Sequence, residues 1–261
     1  MGVVNCTPDS FSDGGRYLDP CQAIAHGRSL VLEGADLVDV GGESTRPGAA
    51  PVHADTEMAR ILPVIKDLRD MHPGLPLSVD TRKAVVAEAA LRTGADIVND
   101  VSGGRDPRML DLVAEQGAAI VLMHMRGEPQ TMQHDTSYDD VVDEVHGWLE
   151  ERAEAALAAG VSRDRVWLDP GIGFGKDVDG NLSLLAALPR LARLGHPVVV
   201  GPSRKSFLGM LTGAEVDARL PGTLAALLPT IGLDKVALRV HEPRPVRQFV
   251  TVAERVVEGM G

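Results

Sequence analysis

The chain has 261 residues, of which 44% are hydrophobic and only 3% aromatic, so it can bury a core made mostly of Leu, Val, Ile and Ala. Its net charge of −11 argues against a nucleic-acid-binding face, which would have to be basic. The two cysteines form neither a metal-binding spacing nor a disulfide framework, and the sequence shows no signal peptide or membrane span. We therefore expect a cytoplasmic protein.

Eight short runs rich in Val, Ile and Leu recur along the chain. Their near-continuous apolar character is typical of parallel strands that are covered on both faces. They occupy residues 1–5, 36–44, 75–81, 95–100, 119–124, 166–171, 197–203 and 236–242.

Helical patterns lie between these strands. Apolar residues are spaced by three and four positions, a capping Asp or Pro stands near the start, and a Gly stands near the end. The clearest patterns cover residues 20–35, 81–95, 106–118 and 137–160.

Eight strands alternating with helices in this length predict an α/β fold, a (β/α)8 TIM barrel built as one domain over residues 1–261. A doubly wound sheet is the alternative fold. It is less favoured because no G-x-G-x-x-G motif follows an early strand.

Nearly every predicted strand ends in a polar or ionisable residue. In a barrel these ends meet at one mouth, where active sites are built. The residues at these ends are Asn5, Glu43, Ser44, Thr45, Arg46, Asp80, Asn99, Asp100, His124, Asp169, Ser203, Arg204, Lys205, Arg239 and His241.

Each of these residues has a plain structural alternative. Asp80 or Asp100 alone would read as a helix N-cap, Asn5 as a turn residue, and His124 as a partly buried imidazole. Their coincidence at one mouth is harder to explain structurally, because burying so many polar groups together costs stability unless they pair or bind a ligand.

The residue types indicate a ligand with two unlike parts. Asp80, Asn99 and Asp169 can hydrogen-bond a flat, nitrogen-rich ring, because a carboxylate accepts two parallel N–H groups. Lys205 can donate to a ring carbonyl. Three residues suit phosphate oxygens because they are cations or can become cations: Arg46, Arg239 and His241. Asn5 could reach a hydrated Mg²⁺ that also binds a diphosphate.

Several motifs then occur in a characteristic order: "MGVVNCTPDSFSDGG", "DVGGESTRPGA", "SVDT", "ADIVNDVSGG", "LMHMRGEPQTMQ", "LDPGIGFGK", "VGPSRKSFLG", "GTLAA" and "RVHE". In this order and at these strand ends, the motifs resemble the bacterial dihydropteroate synthase family of pterin-binding enzymes over essentially the whole chain.

The resemblance implies a pterin-binding barrel and a transferase of folate biosynthesis. Such an enzyme condenses 6-hydroxymethyl-7,8-dihydropterin diphosphate with p-aminobenzoate to give 7,8-dihydropteroate and diphosphate. The reaction is SN1-like, Mg²⁺ assists diphosphate departure, and sulfonamides compete at the p-aminobenzoate site. The implied partners are these two small molecules and a second copy of the chain in a homodimer, with no nucleic acid and no membrane.

Site residues follow from the same resemblance, position by position. Asn5 resembles the Mg²⁺ ligand. The residues implied to bind the pterin diphosphate are Thr45, Asp80, Asn99, Met123, Asp169, Phe174, Lys205, Arg239 and His241.

Two smaller sets complete the expectation. The catalytic group is expected to comprise Asp80, Asp169, Lys205, Arg239 and His241. The p-aminobenzoate contacts are expected to be Phe11, Arg46, Pro47, Ser203 and Arg204. Two mobile loops are expected around residues 9–15 and 45–48.

Three alternatives remain at this point. A methyltetrahydrofolate-dependent methyltransferase barrel would also hold a pterin, but it would not need "TPDSF", "STRPG" and "SRK" together. A catalytically silent pterin-binding paralogue should have lost Asn5, Arg239 or His241. A phosphate-sugar barrel should carry a Gly-rich loop in place of "GPSRKS". One local departure concerns Pro229, which interrupts the helix predicted before the last strand, and in the family that helix contributes to the dimer interface.

Overall fold

A computed structural model describes residues 1–7, 20–46 and 48–259. Its centre is one eight-stranded parallel sheet in which the strands follow one another in chain order. The strands are β1 (Gly2–Asn5), β2 (Val38–Gly41), β3 (Leu77–Asp80), β4 (Ile97–Asp100), β5 (Ala119–Met123), β6 (Val166–Asp169), β7 (Val198–Val200) and β8 (Val236–Leu238).

Helices alternate with the strands around this sheet. They are α1 (Pro20–Leu32), α2 (Ala54–Met71), α3 (Ala84–Thr93), α4 (Met109–Gln116), α5 (Val141–Ala158), α6 (Val178–Ala186), α7 (Leu188–Ala192), α8 (Ser206–Thr212), α9 (Leu220–Ala226) and α10 (Pro243–Glu258).

The sheet closes on itself just beyond β8. A parallel bridge joins Gly2 to Val240, and the Val240 N–H donates to the Met1 carbonyl oxygen at 2.9 Å. The prediction of a (β/α)8 barrel is therefore confirmed, and all eight predicted strands are present. That a single domain covers the whole of residues 1–261 stays a prediction.

The helix termini follow from local sequence where capping residues are present. Asp140 caps α5, and its carboxylate accepts from the N–H groups of Val142 and Asp143, both at 2.9 Å. Helix α2 was not predicted, because charged residues and Pro63 interrupt its apolar pattern. Its buried face includes Ile61 and Leu68, so packing against the barrel outweighs the local signal.

The interior of the barrel is layered, because every second side chain of a strand points inward. An apolar layer fills the lower interior and includes Ile97, Val121 and Val199. Two residues further along the same strands stand Asn99, Met123 and Gly201, which line a cavity. The apolar layer thus forms a solid floor, and the polar layer above it opens at the carboxyl ends of the strands.

Pro229 has the local effect that the sequence predicts. Helix α9 ends at Ala226, and a short 3-10 turn (Leu228–Thr230) with the proline in its first turn leads toward β8. In the part of the chain that the structure describes, no helix combines the length and apolar character needed to cross a membrane.

Candidate active site

A narrow cavity of about 20 Å³ opens at the carboxyl ends of the barrel strands, which is where (β/α)8 barrels place their active sites. Its walls come from seven of the eight strands or from the loops that follow them. The lining residues are Thr45, Asp80, Asn99, Val101, Met123, Asp169, Ile172, Phe174, Gly201, Lys205 and Arg239.

Eight of these lining residues were predicted as binding or catalytic residues from the sequence. Val101, Ile172 and Gly201 were not, because apolar residues and glycine carry no chemical signal by themselves. The remaining predicted residues either lie elsewhere than in the cavity lining or belong to the part of the chain that the structure does not describe. Asn5, Arg46, Ser203, Arg204 and His241 are described elsewhere at the mouth, whereas Phe11 and Pro47 lie outside the described residues.

Arg239 is the central cation of the cavity. Its Nε donates to Asp39 Oδ2 at 2.7 Å, and its Nη2 donates to Asp80 Oδ2 at 2.8 Å. Burial alone would lower the pKa of Arg239, but these two carboxylates raise it above its ordinary value. The expected separation of an acidic zone from a basic zone needs correction, because this cation lies within the acidic zone and bridges two of its carboxylates.

Asp39 is a buried member of the site that the sequence analysis missed. Besides the bond from Arg239, its Oδ2 accepts from Asn99 Nδ2 at 3.0 Å, while its Oδ1 has no protein partner. The available signal was a single charged residue between Val38 and Val40 in an otherwise apolar strand. Because Asp39 precedes the end of β2 by two positions, a search confined to strand ends could not find it.

The two predicted carboxylates have raised pKa values for the same reason. Burial raises the pKa of Asp80 to about 7 despite the opposing charge of Arg239. Burial also raises the pKa of Asp169 to about 6, although Asp169 Oδ1 accepts from the Gly171 N–H at 2.7 Å. Both groups thus titrate near neutrality, which is common at functional sites.

Lys205 faces these carboxylates across the cavity. Burial lowers the pKa of Lys205 to about 8, and the nearby Arg239 adds to this effect. Its ammonium nitrogen lies 3.9 Å from the centroid of the Phe174 ring, within the range of a cation–π interaction. Phe174 therefore serves as an apolar wall and also holds the lysine in place.

The segment before Lys205 has an unusual backbone. Arg204 has a φ of 60°, a left-handed conformation that costs a non-glycine residue about 1 kcal/mol or more. Two contacts hold it there: the Arg204 N–H donates to Thr223 Oγ1 at 3.3 Å, and Arg219 Nη1 donates to the Arg204 carbonyl oxygen at 3.1 Å. Strained backbone of this kind clusters at active sites.

His241 is paired with Ser203 at the rim. Ser203 Oγ and His241 Nδ1 are 2.9 Å apart. Burial lowers the pKa of His241 to about 3, and the surrounding cations, Arg239 first among them, contribute to the shift. Burial and the neighbouring cations thus favour the neutral imidazole, and its Nε2 is the ring atom left to meet a ligand. That His241 meets phosphate as a cation stays a prediction.

Two strand-end residues have structural roles. The Asp100 carboxylate accepts from the N–H groups of Ser102 and Gly104, at 2.7 and 2.9 Å. His124 stands edge-on to the Trp148 ring, at 5.1 Å between centroids. His124 is therefore a packed imidazole, as its structural alternative has it. Asp100 caps the turn after β4 and not a helix, because α4 begins only at Met109.

Lys176 was also missed, because its partners come mostly from backbone atoms that no motif reveals. Its ammonium group donates to the carbonyl oxygens of Gly171 and Phe174, at 3.0 and 2.9 Å. It also lies 3.0 Å from His124 Nδ1. Burial lowers the pKa of Lys176 to about 7. This lysine ties down the loop that carries Phe174.

The same loop depends on a glycine. Gly171 has a φ of 69°, and a Cβ atom there would lie 1.9 Å from the His124 carbonyl oxygen. Only glycine fits both the conformation and the space. The "DPGIGFGK" motif thus encodes the loop that presents Asp169 and Phe174.

A larger cavity, of about 370 Å³, lies at the opposite end of the barrel near the starts of β4 and β5. It is an open depression whose charged lining residues are Asp96 and Arg165. None of the predicted site residues lies there. We therefore place the active site in the smaller cavity at the mouth, where the carboxylates and cations meet.

The fold and this cavity define a (β/α)8 barrel with a buried, charge-paired pocket at its mouth. The sequence profile of the family described as pterin binding enzyme matches residues 1–241. The chain belongs to this family of pterin-binding enzymes, as the sequence motifs predicted.

Its relatives narrow the class further. The dihydropteroate synthase of Mycobacterium leprae is 48% identical over 252 residues, which cover 94% of this chain and 88% of that protein. Xanthomonas albilineans dihydropteroate synthase with 4-aminobenzoic acid is 48% identical, with a TM-score of 0.91 over 98% of this chain and 92% of that one.

Two further solved structures of dihydropteroate synthases, each with a bound ligand, also match this chain. The Xanthomonas albilineans enzyme in complex with 7,8-dihydropteroate matches at 45% identity and a TM-score of 0.88, over 98% and 92% of the two chains. The Yersinia pestis dihydropteroate synthase with a sulfonamide drug complex matches at 37% identity and a TM-score of 0.92, over 99% and 94%.

Proposed function

We propose that this chain catalyses the dihydropteroate synthase reaction, in which 6-hydroxymethyl-7,8-dihydropterin diphosphate and p-aminobenzoate give 7,8-dihydropteroate and diphosphate. The observation that carries the proposal is the mouth cavity, where Asp80, Asn99, Asp169, Lys205 and Arg239 meet over an apolar floor. Its residue types match the donors and acceptors of a pterin ring.

The pterin ring occupies the deep part of this cavity. An ionised Asp169 accepts two parallel N–H groups from the ring, as carboxylates do from planar donors. Lys205 donates to the ring carbonyl, and Asn99 offers both a donor and an acceptor. Met123 and Phe174, both nearly buried, supply the apolar walls.

The diphosphate lies at the outer part of the mouth. Arg46 is exposed there, and the neutral His241 donates through Nε2 while Ser203 occupies Nδ1. Arg239 contributes positive charge from below, where two carboxylates hold its guanidinium. Thr45 lines the cavity between the two parts.

Mg²⁺ fits this mouth as a cofactor with few protein ligands. Asn5 ends β1 beside Gly41, which has no side chain, so its amide oxygen has room to meet an ion. The described residues contain no group of three or more His, Cys, Asp or Glu that could hold a metal. An ion here would take its other ligands from diphosphate and water, as Mg²⁺ commonly does, and would offset the charge of the leaving group.

Catalysis then rests on charge stabilisation and needs no covalent enzyme intermediate. The bond between the pterin methylene carbon and the diphosphate oxygen breaks, and Arg239 and His241 stabilise the departing charge. The methylene cation that remains is delocalised into the ring and stabilised by Asp80 and Asp169. The amine nitrogen of p-aminobenzoate attacks this carbon and loses a proton to solvent.

We assign p-aminobenzoate to the rim of the mouth beside Arg46, Ser203 and Arg204. The Arg204 guanidinium donates to Glu242 Oε1 at 3.0 Å, so its side chain already has a fixed position. Phe11 and Pro47 complete the predicted set, and both lie outside the described residues. The assignment of these five residues stays a proposal.

The decisive experiment is turnover. Purified protein with Mg²⁺ and both substrates is expected to form dihydropteroate, measured by chromatography with radiolabelled p-aminobenzoate. Pterin binding without turnover would instead favour a silent paralogue. Turnover with methyltetrahydrofolate as methyl donor, and none with p-aminobenzoate, would favour the methyltransferase alternative.

We also propose that the enzyme is a homodimer in the cytoplasm. Apolar side chains are exposed on α8 and α10, including Met210 and Val252, which are 72% and 63% exposed. A second copy of the chain could cover these side chains, and an apolar patch on a surface is where such association occurs. The cytoplasmic location rests on the composition and on the absence of a disulfide pattern in the sequence.

A further inference from the structure

A chain of six alternating charges runs below the rim of the mouth. Neighbouring members are joined by salt bridges, and together they link α2 to the loops that follow β2, β3, β4 and β5. In order, the members of this rim charge chain are Glu57, Lys83, Glu43, Arg82, Glu128 and Arg105.

Glu43 is the member with the most contacts. Its Oε2 accepts from Lys83 Nζ at 2.5 Å and from the Val52 N–H at 2.9 Å, and its Oε1 accepts from Arg82 Nε at 3.1 Å. Burial alone would raise the pKa of Glu43, but the bonds from Lys83 and Val52 lower it below its ordinary value. Glu43 is therefore an ionised, nearly buried anchor.

The inner end of the chain is buried against α2. Lys83 Nζ also donates to Glu57 Oε2 at 2.5 Å, and the Glu57 side chain is only 1% exposed. Gly42 lies against this helix, since a Cβ there would be 2.8 Å from Ile61 Cγ2. Arg60 Nη1 donates to the Gly42 carbonyl oxygen at 2.7 Å, so the start of the β2–α2 loop is fixed.

The outer end reaches the β5–α5 loop. Arg82 is bonded to Glu128, and Arg105 Nη1 donates to the Gly127 carbonyl oxygen at 2.8 Å. The β2–α2 loop and the β5–α5 loop also meet directly, because the Gly48 N–H donates to the Pro129 carbonyl oxygen at 3.3 Å. The β2–α2 loop is thus held from both sides.

This loop carries Thr45, which lines the mouth cavity, and Arg46, which is exposed beside it. We propose that Glu43 is a positioning residue which, through Lys83 and Arg82, holds Thr45 and Arg46 where p-aminobenzoate reacts. The inference rests on the proposed function, and it adds residues that touch neither substrate.

A purely stabilising role would not explain why charged side chains, and not apolar ones, occupy these buried positions. Burying Glu57 and Glu43 costs desolvation energy, and apolar replacements of similar size are often as stable or more stable. A network of directional bonds instead fixes geometry, and a displacement of about 1 Å in a substrate-positioning group can cost on the order of a hundredfold in rate.

The first test separates the two substrates. In Glu43→Gln and Arg82→Met, the KM for p-aminobenzoate is expected to rise about tenfold, because the loop is displaced. The Kd for 6-hydroxymethyl-7,8-dihydropterin, which lacks the diphosphate and is measured by calorimetry without the amine, should change by less than about twofold, because Asp80, Asn99 and Asp169 bind the ring from the strands and not from this loop. Lys83→Arg, which keeps the charge, should stay near the wild-type KM.

Lys66→Met is the matched control, because it breaks the exposed Lys66–Asp70 ion pair on α2, away from this chain of charges. It should leave both constants unchanged. The inference is overturned if Glu43→Gln weakens pterin and p-aminobenzoate equally, or alters neither.

A second readout does not depend on turnover. Hydrogen exchange in peptides that cover residues 48–53 is expected to be about tenfold faster or more in both Glu43→Gln and Arg82→Met. Glu43→Gln replaces the carboxylate that accepts from the Val52 N–H, and Arg82→Met removes the bond that fixes Glu43 Oε1. Arg82→Met keeps the buried Lys83–Glu57 pair and tests the case in which Glu43→Gln fails to fold. If the exchange rate is unchanged in a folded variant, Glu43 does not hold the loop. This readout is valid whether or not the chain catalyses the proposed reaction.

Discussion

Asp169 and Asp80 are both buried, but different groups hold their carboxylates. Asp80 shares the Arg239 guanidinium with Asp39, whereas Asp169 accepts a hydrogen bond from the backbone of its own loop. Burial raises the pKa of both carboxyls, but that of Asp80 also depends on the charges of Arg239 and Asp39, so the effect of burial is simpler to test at Asp169. The stability of the free protein should therefore depend on pH through Asp169.

The expected pH dependence follows from the sign of the shift. Burial raises the pKa of Asp169 from 3.8 to about 6, so the folded state holds this proton more tightly than the unfolded chain. Its stabilising contribution is complete below about pH 4 and is lost as the pH rises through about 6. Asp169→Asn cannot ionise, so its free energy of unfolding relative to wild type should rise by about 1–2 kcal/mol between pH 5 and pH 8.

Urea unfolding at the two pH values measures this difference. Asp234→Asn is the control, since this carboxyl is exposed near the start of β8, and its difference from wild type should not vary with pH. An equally constant difference for Asp169→Asn would show that burial does not raise the pKa of this group.

Arg239 offers a second test at the residue scale. Arg239→Met leaves Asp39 and Asp80 buried without their shared cation, so we expect a loss of about 3–5 kcal/mol in the free energy of unfolding. Adding Asp39→Asn should recover part of the loss, because one uncompensated charge is removed. Both effects are measured by chemical denaturation.

Arg255→Met provides the comparison, because it breaks the exposed Arg255–Glu258 pair and should cost less than about 0.5 kcal/mol. If Arg239→Met unfolds at the same urea concentration as wild type, Arg239 does not stabilise the two carboxylates. The variant should also lose turnover, since the same guanidinium is proposed to offset the leaving-group charge.

The sequence predicted the residues at strand ends well and the residues before them poorly. Asp80 and Asp169 end their strands, Asn99 is the last residue but one of β4, and Lys205 follows β7. Barrel topology alone brings these positions together. Asp39 stands two positions before the end of β2, and nothing in its local sequence indicates that Arg239, 200 positions away, will meet it.

Helix α10 exposes several large apolar side chains to solvent. Val252, Val256 and Val257 are 63%, 55% and 52% exposed in its last turns. The interrupted segment around Pro229 also exposes Leu228, at 56%. Pro229 therefore shortens α9 without removing the apolar side chains that a dimer could cover.

If α10 is part of the dimer interface, charges on its exposed face should separate the subunits. Val252→Glu combined with Val256→Glu is expected to halve the sedimenting mass at micromolar concentration, because buried unpaired carboxylates are costly. Analytical ultracentrifugation measures the mass.

Leu32→Glu changes a residue that is 82% exposed at the end of α1 and should leave the mass unchanged. The homodimer proposal fails if the wild-type protein already sediments as a monomer. If the α10 double variant remains a dimer, as the Leu32→Glu control should, the interface lies elsewhere on the molecule.

Strands were easier to predict than helices in this chain. All eight strands lie within the predicted runs, because apolar β-branched residues mark a buried parallel strand. The structure trims each run to three to five residues, since the polar ends belong to loops. Helix α2 escaped prediction because its buried face, which includes Val64 and Ile65, is separated by charged residues and Pro63.

For the whole molecule, the order and number of the strands were enough to predict the barrel and the location of its mouth. The order of motifs was enough to predict the family. The rim charge chain could not be predicted, because its six members come from α2 and four loops whose approach depends on the closed barrel. Long-range pairing of this kind leaves no periodic signal in a single sequence.

The mouth cavity takes its floor from strands, its ring-binding walls from strand ends and the buried residues that follow them, and its outer rim from exposed loops. Inward side chains of the strands share one closed interior, so replacing any of them disturbs several others. A loop residue at the rim is bounded on one side only by solvent. The two halves of the pocket should therefore differ in mutational tolerance, and we expect enzymes that descend from this one to diverge in the aromatic amines they accept well before they diverge in the heterocycle.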